Sequence, residues 1–523
     1  MDFSEAYTDR CSTVGHAARS GDIKSLRKLI KKGRSVDVPD NRGWMPIHEA
    51  AFADATPCLQ LLINAAPSRA YVKSKTFEGE TALHLAAKRG SVGCAQILLQ
   101  AGADPNDLTH DETTALFLAV ESGSEAVVKL LLKYKANING PHACSGWNPL
   151  HQASYMGRTD LLQLLLKNGA DKECKDDFGI TPLFIAAQYG KYECLHLLQS
   201  VGADVNCQAK DKATPLFIAA QEGHEKCAEL LLSTGADPNL YCNEEGWQLP
   251  IHAAAQMGRS KLLEMLMAVT SRVCDTGKDQ VSPVYSAVYG GDRQCLDMLL
   301  SGGYSPEAQE RTLYEYETPM CMATERGHSV MALLLLKYGF QLSSFYLMRC
   351  LKHSNFPLFR YFLSQHCPLP SGDQLDAFRQ QLYECHYKEW LPYLLLAGFD
   401  PTPLLEAAGV FFSNNEVINF TLEFTNWKML SADVELLLSP DAKHFTPQKH
   451  FASLPSLMHL CRLQIRSLLR TEHLRSNKFI SQLPLPVCLQ DYLQYSDVLH
   501  HYGVARKDDS LEDNLENISQ TSD

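Results

Sequence analysis

Thr181-Pro-Leu-Phe-Ile-Ala-Ala-Gln-Tyr-Gly190 is followed 33 residues on by Thr214-Pro-Leu-Phe-Ile-Ala-Ala-Gln-Glu-Gly223. Looser copies of the opening tetrapeptide run in both directions: Met45-Pro-Ile-His48, Thr81-Ala-Leu-His84, Thr114-Ala-Leu-Phe117, Asn148-Pro-Leu-His151, Leu249-Pro-Ile-His252, Ser282-Pro-Val-Tyr285 and Thr318-Pro-Met-Cys321. Successive copies lie 36, 33, 34, 33, 33, 35, 33 and 36 residues apart. Each residue type in the block has a physical reason. A threonine hydroxyl can accept one of the orphan N–H groups that open a helix. Proline costs nothing at the first helical position, where no N–H is needed. A small pair follows, as in Ala86-Ala87 or Ala219-Ala220, and lets neighbouring helices approach closely. Nine residues after each start comes glycine (Gly90, Gly123, Gly157 and onward to Gly327), with Asp54 in the first copy. That position is expected to end the helix at positive φ, which glycine adopts freely and aspartate tolerates.

A second, leucine-rich helix is expected next, as in Leu130-Leu-Leu132 or Leu164-Leu-Leu166, and then a turn such as Gly202-Ala-Asp-Val-Asn206. A period near 33 with a Thr-Pro-Leu-His-like core is the ankyrin signature. One unit cannot bury its own apolar face, so neighbours must stack, and the product is a recognition surface. A degenerate first repeat is expected over 12–38, and another over 345–367 with Leu351, Phe359, Phe362 and Leu363 as its apolar stripe. Trp390-Leu-Pro-Tyr-Leu-Leu-Leu-Ala-Gly398 resembles the second half of a further unit. The period is lost over about 370–440, which is expected to be helical.

The chain has 523 residues and a formal net charge of −12. It shows no contiguous Lys/Arg block, so neither nucleic acid nor an anionic membrane is expected as its main partner. It has no stretch of 18 or more apolar residues, so no membrane span is expected. Cys58, Cys94, Cys194, Cys227 and Cys295 each lie 13 residues after a tetrapeptide start, where other copies hold Val127, Leu161, Leu262 and Met331. A position shared by Cys, Val, Leu and Met is a core site. Scattered free thiols with no Cys-x-x-Cys pair fit a reducing compartment, the cytoplasm or the nucleus. No zinc-protease, P-loop or nucleophile-elbow motif is found, so no catalytic residue, metal or cofactor is expected. The motif histidines His48, His84, His151 and His252 are expected to be structural, because Phe or Tyr replaces them in other copies.

A different pattern follows the array. Leu457, Leu460, Cys461, Ile465 and Leu468 form one stripe of an amphipathic helix, with Pro455 expected in its first turn. Leu483-Pro-Leu-Pro486 then imposes an extended run before Leu489, Tyr492 and Leu493. Ser456-Leu457-x-x-x-Cys461-x-x-x-Ile465 resembles the elongin-binding box that opens a SOCS box. Leu483-Pro484-Leu485-Pro486 resembles the cullin box of the same module. Both in order, 18 residues apart and after ankyrin repeats, mark the chain as similar to the ankyrin repeat and SOCS box protein family. The resemblance implies an all-α protein: an ankyrin-repeat solenoid of about 11 repeats, followed by a small helical SOCS box. The regular array is expected over 10–340, degenerate ankyrin-like helical repeats over 341–440, the SOCS box over 441–505 and a disordered acidic tail over 506–523. It further implies a non-catalytic substrate receptor of a cullin–RING ubiquitin ligase. Leu457, Cys461 and Ile465 would bind elongin C, itself paired with elongin B. Leu483, Pro484, Leu485 and Pro486 would face cullin-5 with its RING subunit.

Substrate choice is expected on the repeats. Trp147, Tyr155, Met156 and Tyr189 come from two adjacent copies and could form one aromatic patch, and Trp and Tyr dominate interface hot spots. A scaffold with no ligase role is the alternative. Failure to retrieve elongins or cullin would favour it.

Overall fold

Thr114, Thr181, Thr214 and Thr318 cap their helices as their chemistry requires. Each Oγ1 accepts the main-chain N–H three residues on, at 3.2, 3.2, 3.2 and 3.3 Å. The structure is a computed structural model that describes residues 12–140, 146–243, 248–276, 281–307, 318–370, 387–405, 415–430, 448–469, 471–474 and 477–504. The tail expected over 506–523 lies outside these. Among the described residues there is no β-strand. Isolated bridges pair Lys75 with Thr81 and Leu108 with Thr114 in the loops between repeats. The chain divides into two units, Met1–Ser271 and Arg272–Asp523.

In the first unit, helix pairs run from Thr13–Arg19 with Ile23–Lys31 to Pro250–Gln256 with Ser260–Val269. Residues 12–38 thus form a helix pair, as their pattern predicts. Ala50, Ala86, Ala119, Ala186, Ala219 and Ala254 are fully buried where first helices meet. Each first helix ends as read from the sequence: Gly90 and Gly157 have φ of +70°, and Asp54 has +55°. The five cysteines at the shared position are all buried.

Two side-chain devices lock neighbouring repeats together. In the histidine copies, Nδ1 accepts the N–H of the residue three positions back, at 3.0 Å in His48 and 3.1 Å in His84. The proton then sits on Nε2, which donates to a carbonyl of the following loop: Ser74 at 3.0 Å for His48, and Ile180 at 3.0 Å for His151. His84 reaches both Asp107 and Thr113. The second device is the turn asparagine. Asn206 Oδ1 accepts from Asp237 N at 2.8 Å while its amide donates to Gly235 O, and Asn239 Oδ1 accepts from Ser271 N. Each such bond contributes about 0.5–1.5 kcal/mol net. The histidines are therefore structural, and the asparagines do more than turn the chain.

The second unit opens with the short helix Val273–Thr276 and continues with the pairs Pro283–Gly290/Arg293–Ser301, Pro319–Glu325/Ser329–Lys337 and Ser344–Lys352/Phe356–Ser364. Leu351, Phe359, Phe362 and Leu363 are buried, as expected of a degenerate repeat. Leu391–Leu396 follows the buried Trp390 at its N-cap position and ends near Gly398 at φ +90°. Helical residues at 402–405 and the helix Asn415–Leu422 follow. Among the described residues no helix is long and apolar enough to cross a membrane.

Candidate functional site

The helix Leu457–Leu468 exposes its apolar stripe to solvent. Leu457 is 77% exposed, Leu468 75% and Ile465 43%, and Cys461 is exposed beside them. Met458, 58% exposed, widens the patch. The stripe departs from expectation at Leu460, which is half-buried. Pro455 also stands outside the helix. Ser456 is the N-cap, its Oγ accepting from His459 N at 3.1 Å, because a hydroxyl can take an orphan N–H and proline cannot.

The buried face of this helix is polar. His459, Arg462 and Arg466 point inward. Arg462 places its guanidinium 3.4 Å from the Tyr492 ring centre and 4.3 Å from that of Tyr495, and donates to Asp497 at 2.8 Å. Arg466 donates to the main-chain oxygens of Leu493 at 2.8 Å and Leu396 at 2.6 Å. His459 Nε2 lies 2.8 Å from Thr425 O, and its ring packs on Trp427. Buried cations need such partners, since an unpaired charge out of water is costly. The same contacts join the helix to the residues before it. Phe424 stacks on Tyr495 at 4.1 Å and Phe420 meets Tyr502 edge-on at 5.2 Å.

Leu483–Pro486 lies between the helices Asn477–Gln482 and Val487–Leu493. One side chain holds the run: the Gln490 amide donates to both Leu483 O and Leu485 O at 2.9 Å. Pro484, Leu485 and Pro486 are exposed and Leu483 is half-buried. Val487, Cys488 and Leu489 continue the exposed surface, Val487 being 70% exposed.

On the repeats, Trp147, Tyr155 and Tyr189 form a continuous row. Trp147 and Tyr155 have ring centres 5.6 Å apart, and Tyr155 meets Tyr189 edge-on at 4.7 Å. Trp147 is half-buried, its Nε1–H donating to Asp176 of the next repeat at 3.1 Å. The two tyrosines and Met156 are exposed. Among the described residues no cluster of His, Cys, Asp and Glu could hold a metal ion.

Comparison with known proteins gives this arrangement a family. Ankyrin repeats (three copies) match residues 14–109, 106–176, 160–242 and 183–276, and SOCS box matches residues 453–494. Ankyrin repeat and SOCS box protein 3 of Bos taurus is 58% identical over 505 residues, 95% of this chain and 96% of its own length. The chain belongs to the ankyrin repeat and SOCS box protein family. The Homo sapiens protein of the same name is 58% identical over 509 residues, 96% of this chain and 98% of its own. The solved ankyrin repeat domain of Bcl-3 is 27% identical, with a TM-score of 0.38, and covers 43% of this chain and 100% of its own.

In this ankyrin repeat and SOCS box chain, the structure brings Leu457, Cys461 and Ile465 onto one exposed face. Periodicity does not reveal that the opposite face is cationic. Arg462 and Arg466 lie four apart, one helical turn, and that spacing is the signal available in the sequence for a shared buried face.

Proposed function

We propose that this chain is the substrate-binding subunit of a cullin–RING ubiquitin ligase. Its box helix docks on elongin C, paired with elongin B, through Leu457, Cys461 and Ile465. Leu483, Pro484, Leu485 and Pro486 face cullin-5 with its RING subunit. The ankyrin repeats select target proteins, with Trp147, Tyr155, Met156 and Tyr189 as the contact row, for ubiquitination and proteasomal degradation in the cytoplasm. The ubiquitin chemistry belongs to the partners.

One observation carries this reading. A helix turns its apolar stripe to water and its arginines inward, which leaves an apolar groove-filler without a groove. An amphipathic helix laid into a hydrophobic groove is a recurring mode of recognition, and an exposed apolar patch marks such a site. Burying each leucine or isoleucine contributes about 1.5–3 kcal/mol. The test is co-purification of elongins B and C with Leu457→Ala/Cys461→Ala, with circular dichroism of the variant. Loss of both elongins with the fold intact is expected. Undiminished co-purification would remove the ligase reading and leave the non-ligase scaffold.

A further inference from the structure

The helix Ile23–Lys31 differs from every other second helix of its unit. Lys24, Arg27, Lys28, Lys31 and the capping Lys32 are all exposed, and their spacing of 3, 4, 7 and 8 residues puts them on one face. None of the five forms an ion pair with a described residue. Asp22 at the N-cap is spent on the main-chain N–H groups of Lys24 and Ser25. The corresponding helices further on either carry no charge, as in Thr56–Asn64 and Val92–Gln100, or include an acid, as in Glu125–Lys133 and Glu225–Ser233. The linear sequence hides this block because Ser25, Leu26, Leu29 and Ile30 interrupt it. Folding turns Leu26 inward against the helices Thr13–Arg19 and Thr56–Asn64 and leaves the cations together. With Ile23 they line a shallow hollow of about 560 Å³.

We propose that this face docks on an anionic membrane surface, with lipid headgroups as its ligand. The lack of a contiguous Lys/Arg block argues against an anionic membrane as the main partner, but it does not describe one helix face. The composition of the face selects among anionic partners. Four of the five cations are lysines, which are depleted in protein–protein interfaces. No aromatic side chain stands on this helix to stack a base, as binders of single-stranded nucleic acid require. Clustered lysines on an amphipathic helix, acting as point charges, suit a diffuse sheet of headgroups. Each cation near such a surface raises partitioning about 5-fold. A receptor held there would meet targets at the same surface.

The experiment is co-sedimentation of the full chain, with elongins B and C if they co-purify, with phosphatidylcholine vesicles that do or do not contain about 30% phosphatidylserine. Binding is expected only to the serine-lipid vesicles. It should vanish between about 0.1 M and about 1 M salt, as the screening length falls from about 10 to about 3 Å. Lys28→Gln/Lys31→Gln should weaken it about 25-fold, and Lys28→Glu/Lys31→Glu further. Lys28→Arg/Lys31→Arg should retain it. The Gln and Arg variants remain informative if the Glu variant misfolds. No binding to serine-lipid vesicles, or equal binding by the Gln and parent proteins, overturns the proposal. So does retention on polyglutamate or single-stranded RNA with none on vesicles.

Discussion

The guanidinium of Arg466 donates to the main-chain oxygen of Leu396, 70 residues earlier in the chain and 2.6 Å away. Its other terminal nitrogen holds Leu493 O. One buried side chain therefore ties the box helix to the helix Leu391–Leu396 and to the helix that follows Leu483–Pro486. The orientation of the exposed stripe depends on this anchor, because the arginine side of the helix must stay inward for the leucine side to stay outward.

Arg466→Met keeps most of the buried stem and removes the donors. The buried carbonyl of Leu493 then loses its partner, at about 1–3 kcal/mol, and the half-buried carbonyl of Leu396 loses its own at less. We expect the second unit to unfold at lower urea than in the parent, with the first unit's transition unchanged. Elongin capture should fall although no stripe residue is altered. An unchanged denaturation midpoint would show that water replaces the guanidinium without loss.

Two cysteines report on the proposed docking face without mutation. Cys461 and Cys488 are exposed. Cys94, Cys194 and Cys227 are buried among the repeats, and burial pushes their thiols up to about 11, where little thiolate exists at neutral pH. In the native protein, maleimide should therefore label Cys461 and Cys488 well before these three, read by peptide mass. Adding elongins B and C should protect Cys461. Labelling of Cys461 at an unchanged rate in the complex would place the elongin contact elsewhere.

The repeats were legible because every local choice agrees: cap, proline, small pair, glycine and leucine run recur in phase. The box stripe was legible for the same reason at a period of 3.6. What escaped was set by contacts far apart in sequence. Leu460 turns partly inward and Pro455 stands before the cap, since Ser456 competes better for the first N–H groups. The joint of Phe420, Phe424, Tyr495 and Tyr502 spans some 80 residues, and no periodicity encodes it. The cationic face of Ile23–Lys31 exists only around the helix, because Ser25, Leu26, Leu29 and Ile30 break the charge along the line.

The motif histidines predict acid sensitivity. Burial lowers His48 and His84 to about 4 in the fold, and lowers His151 as well. An unfolded histidine titrates near 6.5. Below that value the unfolded chain binds protons that the folded chain does not, so stability is full above about pH 6.5 and falls as pH drops toward 4. The slope is about 1.4 kcal/mol per pH unit for each histidine. Urea denaturation between pH 7 and 4.5 should show it. His48→Phe/His84→Phe, with a residue that the fold already places at Phe117, Phe184 and Phe217, should flatten the slope. Parallel pH profiles for parent and variant would contradict a neutral imidazole that donates from Nε2.

The aromatic row gives the test of substrate choice. Trp147 is a poor first target, because its Nε1–H also secures Asp176 of the next repeat, and truncation would mix lost contact with lost structure. Tyr155 and Tyr189 are exposed and touch each other edge-on, so removing both leaves the inter-repeat bonds in place. Truncating central aromatics costs about 2 kcal/mol or more of binding at such sites. Tyr155→Ala/Tyr189→Ala should therefore keep its melting profile and its elongin capture, and lose its targets in proximity labelling under proteasome block. A box variant such as Leu457→Ala/Cys461→Ala should do the reverse, retaining targets and losing elongins. If the tyrosine variant labels the same proteins as the parent, recognition lies on another face of the repeats.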